Sequence, residues 1–570
     1  MKKGEGRRQK AEGPLKRKEN AECRRPGNWR ETNAERRASN IQQRSSIGRR
    51  HSLEPGAGAG YKLVRVMRNA LHVLAAMVSL AAFACAGASA QSARQIAPVP
   101  KVKPNLVFIV ADQLRYQSCR FAGDAKARTP QLDALAKQGV VFRNAVSGHP
   151  VCAAFRASLF TGKYTTSTGM VINELRMNTN HVFLAQVLDR GGYDTGYIGK
   201  WHLWANELGN HYDPKNSFVP PGPYRFGFNG FWAAYNFHHE YFKGYYHTDS
   251  PEKIPVKGYE PDLQTELAIG QLKRFATAGK PFALFVCYGT PHDPWDRDNV
   301  PAEYYDLFAD DGKTPRFTLP PNYKSENDPY ADAWARFNGP AERQRIPEWM
   351  RVYYAMVANL DWNIGRLLKG IDEAGLRDNT IVVFTADHGE MMGAQGRRAK
   401  NIFYEEAVRV PFLVRWPDRI SAGRTSDACL NTPDIMPTVL GLAGLPVPAK
   451  VEGVNLSHCA IGNPGPEPEA ALMENTGACA AWEDGHEWRA LRSKQYTYAI
   501  YRKDRKELLF DNLKDPYQLR NLADSPEQAQ TLDHFRALLK VRLKELDDTF
   551  EASTWYRDHW VKDRNITHVR

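Results

Sequence analysis

Four apolar, β-branched runs divide the chain, and each ends in polar residues. They cover residues 105–113, 194–202, 282–294 and 380–390. Unbroken apolar runs of this length are typical of strands in a parallel sheet, which is buried on both faces. Helical patterns lie between them at residues 129–139, about 181–190, 263–276 and 349–374. Strands that alternate with helices predict an α/β fold with a large, mostly parallel sheet sandwiched by helices.

The pattern changes towards the C-terminal end. Residues 488–512 alternate between apolar and polar positions, as an antiparallel sheet does, and residues 526–546 are typical of an amphipathic helix. We therefore expect a main domain over residues 91–440 and a C-terminal subdomain over residues 441–570, with a small antiparallel sheet and a packed helix. Residues 206–261 are rich in Gly, Pro and aromatic residues and are interpreted as a long surface excursion.

The net charge of +13 suggests a polyanionic partner such as nucleic acid, but its distribution argues against one. Residues 1–68 hold 19 Lys and Arg against 7 Asp and Glu, which accounts for almost the whole excess. The remaining chain is close to neutral. The sequence therefore predicts no nucleic-acid partner for the folded part.

The first 90 residues contain two segments of different character. Residues 1–66 lack apolar periodicity and are predicted to be a disordered basic extension, in front of a true start at Met67. Residues 67–90 combine a basic start, a short apolar run and small residues up to Ala90, which is typical of a secretory signal peptide. A membrane anchor and a genuine basic arm are the alternatives. We expect an exported protein, periplasmic or secreted, without a stable membrane span in its mature form.

Six cysteines follow the predicted cleavage site: Cys119, Cys152, Cys287, Cys429, Cys459 and Cys479. Export permits disulfides, but six cysteines in a chain of this length are too sparse for a disulfide scaffold. Pairing of Cys459 with Cys479 is left open.

Polar residues at the ends of the predicted strands supply the candidate chemistry. They are Asp112, Gln113, Lys200, His202, His292, Asp387 and His388. In open α/β sheets ligands bind beyond the carboxyl ends of the strands, so one cleft is predicted to gather these side chains.

Two kinds of site fit these residues. Asp112 and Asp387, with Gln113 and His388 beside them, form an oxygen-rich set that favours Ca²⁺ or Mg²⁺, although imidazole prefers softer metals. A strand-end cap and a turn are the alternative interpretation. Lys200 and His202 lie two residues apart, and with Arg156 and Lys400 they can surround a tetrahedral dianion. Each of these cations taken alone is more often a solvated side chain.

Six motifs, each at a predicted strand end or helix start, carry a family resemblance. In chain order they are PNLVFIVADQLR, VCAAFRASLFTGKY, GYIGKWH, GTPHDP, TADHGE and KNIFYEEAVRVPFLVRWP. Together they resemble the type I sulfatases of the alkaline-phosphatase superfamily, and the later stretch LLFDNLKDPYQLRNLADSP resembles the C-terminal segment of many members. The match spans about residues 103–525.

The resemblance implies a role for Cys152. In this family the motif cysteine is oxidised by a formylglycine-generating maturation enzyme to Cα-formylglycine (3-oxoalanine), whose aldehyde hydrates to a geminal diol. The usual pattern is C-x-P-x-R, with C-x-A-x-R as an accepted variant. Here Ala154 takes the proline position and Arg156 is retained, which leaves open the maturation system that acts on Cys152.

The resemblance also implies roles for the other residues. Asp112, Gln113, Asp387 and His388 would hold one divalent cation together with the residue made from Cys152, most often Ca²⁺ in the family and alternatively Mg²⁺. Arg156, Lys200 and Lys400 would hold the sulfate oxygens or the diol. His292 would protonate the leaving alcohol, and His202 would take a proton from the second hydroxyl.

These implications predict a sulfuric ester hydrolase that acts on a sulfated small molecule, with a sulfated carbohydrate preferred. Substrate specificity is expected from residues around the cleft: Trp204, Trp232, Tyr235, His238, His239, Trp295 and Arg297. The alternatives are a phosphonate monoester or phosphodiester hydrolase of the same superfamily, and an inactive sulfated-glycan-binding protein that keeps Cys152 as a thiol. The oligomeric state is left open.

Overall fold

The long apolar runs form the centre of an eight-stranded sheet. The computed structural model describes residues 102–570, apart from 206, 208, 209, 311 and 313–315. The strands are β1 (Asn105–Ala111), β2 (Val140–Val146), β3 (Asp194–Lys200), β4 (Phe231–Tyr235), β5 (Tyr245–Tyr246), β6 (Ile254–Pro255), β7 (Phe282–Tyr288), β8 (Thr380–Ala386), β9 (Phe412–Arg415), β10 (Arg424–Asn431), β11 (Ala470–Asn475), β12 (Trp488–Ser493), β13 (Tyr496–Tyr501), β14 (Glu507–Asp511), β15 (Val561–Lys562) and β16 (Asn565–Ile566).

The large sheet has the order β10-β2-β9-β8-β1-β7-β3-β4. Among these strands only β9 runs antiparallel to its neighbours, β2 and β8. The four predicted strands lie side by side in the middle, as β8-β1-β7-β3, and every residue of β1, β7 and β8 is buried. Burial on both faces explains their unbroken apolar pattern. The predicted mostly parallel sheet is confirmed.

Helices pack against the large sheet and against the small C-terminal sheet. They are α1 (Pro130–Gln138), α2 (Cys152–Thr161), α3 (Thr165–Thr168), α4 (Leu184–Arg190), α5 (Pro214–Ser217), α6 (Glu260–Ala278), α7 (Ala302–Asp306), α8 (Pro340–Gln344), α9 (Ile346–Glu373), α10 (Glu405–Val408), α11 (Thr432–Leu442), α12 (Ser457–Ile461), α13 (Ala529–Glu545) and α14 (Ser553–Trp560). Leu272 of α6, Leu360 of α9 and Leu159 of α2 share one apolar core with the central strands.

The small C-terminal sheet consists of β11, β12, β13 and β14, all antiparallel. One face, including Leu491, packs against Phe535 and Leu539 of α13. The other face, including Trp488, packs against Phe403 in the segment that follows β8. The predicted antiparallel sheet with a packed helix is confirmed.

The segment 206–261 differs from the expectation of a surface excursion. It contains β4, which completes one edge of the large sheet by pairing with β3. Trp232 and Tyr235 of β4 are buried for this reason, and they contribute to the core rather than to a surface.

Several predictions about the ends and domains are not tested by the fold. The basic extension over residues 1–66 and the signal peptide over residues 67–90 lie outside the described residues. The division into domains near residue 440 stays a prediction. Within the described ranges, no helix combines the length and apolar character that crossing a membrane requires. The six cysteines that follow residue 90 are free thiols, including Cys459 and Cys479.

Candidate active site

The polar residues at the strand ends meet at one edge of the large sheet. Asp112 and Gln113 follow β1, Lys200 ends β3, and Asp387 follows β8. Ala111 pairs with both Ala386 and Tyr288, so the ends of β1, β7 and β8 lie at the same level. A cavity of about 250 Å³ opens above them, and it is lined in part by Cys152, His202, His292 and Lys400.

Four buried side chains form the floor of this site: Asp112, Cys152, Asp387 and His388. Their ligand atoms all lie within 4.8 Å of one another. Cys152 Sγ lies 3.1 Å from His388 Nε2 and 3.7 Å from Asp112 Oδ1. Since Cys152 begins α2, the start of this helix brings the thiol against the two strand ends.

A divalent cation fits this set of donors. His388 Nδ1 lies 2.9 Å from the Gly389 carbonyl oxygen, to which it donates, so Nε2 keeps its lone pair towards the cluster. Asp387 Oδ1 accepts hydrogen bonds from the backbone N–H groups of Gln113 and His388, both at 2.9 Å. Two carboxylates and a neutral imidazole buried together are the donors expected of a metal site.

Gln113 is turned towards the cavity wall rather than towards these four residues. Its Oε1 accepts a hydrogen bond of 2.6 Å from Lys400 Nζ, and its Nε2 donates to Glu390 at 2.9 Å. Its backbone adopts the left-handed region, with φ of 68°. Gln113 as a metal ligand stays a prediction.

Two buried cations pair with the carboxylates. Lys200 Nζ lies 2.5 Å from Asp112 Oδ2, and Arg156 Nη2 lies 3.4 Å from a carboxylate oxygen of both Asp112 and Asp387. Burial alone would raise the pKa of the Asp112 carboxyl, but the surrounding cations, Lys200 foremost, hold it well below its usual value. With Lys400, three cations lie near the two carboxylates of the floor.

His292 and Lys400 form a pair at the cavity wall. His292 Nδ1 donates to the Asp293 carbonyl oxygen at 2.9 Å, which leaves Nε2 to accept a hydrogen bond of 2.8 Å from Lys400 Nζ. Burial and the charge of Lys400 lower the pKa of His292 well below its usual value. The unliganded His292 is therefore neutral, with Lys400 as the adjacent proton donor.

His202 reaches the cavity without a hydrogen-bond partner. Neither of its ring nitrogens makes a hydrogen bond to any described residue, although the residue is only 1% exposed. Burial, and to a lesser extent Lys200, lower its pKa well below the usual value. A buried, unpaired and neutral imidazole of this kind can accept a proton from a bound ligand.

Cys152 is unsuited to act as a thiolate. Burial, with the nearby Asp112 carboxylate as the next contribution, raises the pKa of its thiol to about 12. The thiol therefore stays protonated at neutral pH, whereas a nucleophilic cysteine needs a lowered pKa. The arrangement does not favour direct thiol catalysis.

Comparison with known proteins decides the family. The model described as Sulfatase matches residues 104–445, and the model described as N-sulphoglucosamine sulphohydrolase, C-terminal, matches residues 393–547. The chain belongs to the sulfatase family. The predicted type I sulfatase membership is confirmed, and this sulfatase is a sulfuric ester hydrolase.

Individual relatives cover most of the sulfatase. It is 39% identical over 469 residues to an ulvan-active sulfatase of Formosa agariphila, a match that covers 81% of this chain and 84% of that protein. It is 29% identical to an endo-4-O-sulfatase of Bacteroides thetaiotaomicron, over 86% of this chain and 99% of that protein. A solved sulfatase from a glycosaminoglycan-metabolism locus of Bacteroides thetaiotaomicron has a TM-score of 0.68 and 28% identity, covering 80% of this chain and 98% of that one.

The sulfatase cavity contains residues that the sequence did not single out. Its lining also includes Asn173, Phe237, Trp334 and Cys479. Of the seven residues predicted to set specificity, His239 alone is among those that line this cavity. Trp295 is instead buried, and its ring N–H donates to the Pro291 carbonyl oxygen. The ring N–H of Trp204 donates to the Lys215 carbonyl oxygen. No local pattern marks Trp334 or Cys479, because they reach the cavity from distant loops.

Proposed function

We propose that this sulfatase hydrolyses sulfate esters of a sulfated carbohydrate. The observation that carries the proposal is the buried cluster of Asp112, Cys152, Asp387 and His388 beneath a cavity whose walls present cations and two neutral histidines. The names of two relatives point in the same direction, since one is ulvan-active and the other is an endo-4-O-sulfatase.

Two groups that complete this chemistry belong to the proposal. A divalent cation, Ca²⁺ or Mg²⁺, bound by Asp112, Asp387 and His388 would supply a Lewis acid that polarises a sulfate oxygen. Cys152, matured to formylglycine, would supply an aldehyde whose hydrate replaces the unreactive thiol. The raised pKa of the thiol supports its replacement, and the distance of 3.1 Å between Sγ and His388 Nε2 supports a position beside the proposed metal ligands.

The cations of the chain would hold the sulfate group. Lys400 lines the cavity. Lys200 is fully buried beside Asp112, to which one of its N–H groups is directed, and its remaining N–H groups would be left for sulfate oxygens. Arg156 lies deeper, where it contacts both carboxylates and donates to the Lys200 carbonyl oxygen at 2.7 Å. Arg156 would therefore orient the floor, whereas the two lysines would hold sulfate oxygens.

The two histidines would move protons at opposite stages. His292 Nε2, which accepts a hydrogen bond from Lys400 Nζ, would take up a proton from Lys400 and deliver it to the leaving alcohol. His202, neutral and without a partner, would accept the proton that is released when sulfate departs. The Asp293 carbonyl oxygen fixes the tautomer of His292, because it accepts a hydrogen bond from Nδ1.

The test has two readouts on natively matured protein. Peptide mass spectrometry should find the Cys152 peptide lighter by about 18 Da, as conversion of cysteine to formylglycine requires. A panel of sulfated mono- and oligosaccharides, aryl sulfate, phosphodiesters and phosphonate esters should show the highest kcat/KM on a sulfated carbohydrate. A wholly unmodified peptide would support the inactive binding protein, and dominant diesterase activity would support the phosphodiester hydrolase.

We also propose that the protein is exported, because residues 67–90 resemble a signal peptide. Fractionation of the native host should recover it from the periplasm or the medium, with an N-terminus close to Gln91. Recovery from the cytoplasm with residues 67–90 intact would contradict export.

A further inference from the structure

Trp334 lies at the rim of the active-site cavity with an unusually open ring. The cavity that contains Cys152 is also lined by Trp334, which is 45% exposed. Its ring makes no hydrogen bond or ring contact that involves the described residues. Among the described tryptophans, Trp362 is the other one exposed to this extent. A large aromatic ring is stabilised by burial, and this one lies beside the cavity that contains Cys152, where a ligand can cover it.

The loop that carries Trp334 is held in place without a ligand. Asp332, only 1% exposed, accepts from the Ala335 backbone N–H at 2.9 Å and from the Cys479 backbone N–H at 2.8 Å. The same carboxylate accepts from Asn401 Nδ2 at 3.1 Å. One buried carboxylate thus joins the Trp334 turn to two other segments of the cavity wall.

A second tie connects this loop to the segment that contains Lys400. The Arg398 backbone N–H donates to the Ala335 carbonyl oxygen at 2.9 Å. Because both flanks of Trp334 are anchored, the loop pays little conformational entropy when a ligand meets the ring. An anchored loop around an unpacked ring is the arrangement expected of a preorganised binding surface.

Other walls of the cavity are also aromatic. The Phe237 ring lies 5.2 Å from that of His211 and 4.7 Å from that of His239, centroid to centroid, and all three residues line the cavity. Asn173 supplies a polar group to the same lining. Aromatic faces with a few polar groups suit a sugar ring, which has apolar C–H faces and hydroxyls at its edge.

We propose that a sugar ring of the substrate stacks on Trp334, which makes this tryptophan a specificity-determining residue that separates sulfated carbohydrates from small sulfate esters. The inference rests on the proposed hydrolysis of a sulfated carbohydrate. Trp334 touches the carbohydrate part and not the sulfate, so its contribution is to binding of the larger substrate.

The test compares Trp334→Ala, Trp334→Phe and the matched control Trp362→Ala on two substrates. With sulfated ulvan oligosaccharides, Trp334→Ala should lower kcat/KM by about 10- to 100-fold, mainly through KM, as loss of an aromatic anchor does. With 4-nitrophenyl sulfate it should change less than about threefold, because the ring does not contact the sulfate. Trp334→Phe should keep most of the activity on the oligosaccharides, and Trp362→Ala should match wild type on both substrates.

A second measurement avoids the Trp334 variants altogether. In Cys152→Ala protein, which cannot turn the substrate over, the oligosaccharides should protect Trp334 from oxidation by N-bromosuccinimide and leave Trp362 reactive, as read by peptide mass spectrometry. Equal oxidation of both tryptophans would overturn the stacking proposal. An equal loss of kcat/KM on both substrates in a normally folded Trp334→Ala protein would also overturn it. The same holds if Trp334→Ala loses no kcat/KM on either substrate. A wild-type enzyme inert on every sulfate ester would instead overturn the proposed function.

Discussion

At the scale of the residue, Cys152 shows how environment decides reactivity. The same burial that raises its thiol pKa to about 12 places Sγ against His388 Nε2 and Asp112 Oδ1. A thiol in this position is a poor nucleophile, whereas an oxygen nucleophile would lie among cations and the cluster proposed to bind a metal. The geometry therefore fits a cysteine that acts only after modification.

Cys152→Ala tests this at the same scale. We expect turnover of sulfate esters to vanish, because the side chain proposed to become the nucleophile is removed. The melting temperature should change by less than about 4 °C, since one buried sulfur atom is lost without a change in the core. Circular dichroism melts beside activity assays check both points. Loss of cooperative melting would assign Cys152 a packing role instead.

At the scale of the element, the register of the central strands aligns the site. Ala111 faces Ala386 on one side and Tyr288 on the other, so the residues after β1, β7 and β8 emerge at one level. A shift of one residue in β1 or β8 would turn Asp112 or Asp387 towards the opposite face of the sheet. Sheet register is therefore part of the catalytic geometry.

The loop before α4 makes a prediction about stability and pH. His181 is buried and makes no ring hydrogen bond to a described residue, and burial together with Lys163 and Lys450 lowers its pKa to about 4. In the unfolded chain His181 has its ordinary pKa of about 6.5, so the unfolded state binds a proton more readily than the folded state. His181 therefore destabilises the fold as the pH falls from about 6.5 to about 4. Acid lowers the free energy of unfolding through His181, and His181→Asn should remove up to about 3 kcal/mol of this loss, at about 1.4 kcal/mol per pKa unit.

Urea unfolding of wild type and His181→Asn between pH 4 and 8 measures this difference. At pH 8, where His181 is neutral in both states, the variant should be no more stable than wild type. Parallel stability curves across the whole pH range would show that His181 does not titrate with folding.

At the scale of the whole molecule, the C-terminal sheet supports the catalytic region. Its β12 contributes Arg492, which pairs with the buried Glu405 of α10 through two contacts of 3.1 Å. The same sheet packs on Ile402 and Phe403, next to Lys400. A residue proposed to bind sulfate is thus held by a sheet that lies far along the chain.

Metal binding should be visible in the stability of the whole protein. The cluster joins the end of β1, the start of α2 and the end of β8, so a bound cation cross-links three distant elements. We expect chelation to lower activity and the melting temperature, and Ca²⁺ or Mg²⁺ to restore both. A cation at 100 times its Kd should raise the free energy of unfolding by about 2.7 kcal/mol.

Asp387→Asn, which removes one carboxylate of the cluster, is the matched control and should lose most of the metal-dependent rise in melting temperature. Full activity after exhaustive removal of metal would refute the metal assignment. An equal metal-dependent rise in the melting temperature of Asp387→Asn and wild type would show that the cation binds elsewhere.

Local patterns in the sequence are enough to predict the sheet-centred fold and the residues at its strand ends. Buried parallel strands need unbroken apolar runs, and their ends deliver polar side chains to a common edge, so Asp112, Lys200 and Asp387 could be placed together in advance. These features follow from local periodicity and from a topology that the alternation of elements reveals.

The loops that complete the site are placed by contacts between distant parts of the chain. The Gln113 amide faces Lys400 through a hydrogen bond across 287 positions, and Trp334 is placed by the contact of Asp332 with Cys479, across 147 positions. Trp232, with the same aromatic character as Trp334, is buried because its strand joins the sheet edge. Loop conformation depends on such long-range contacts, and these leave no periodic pattern in the chain.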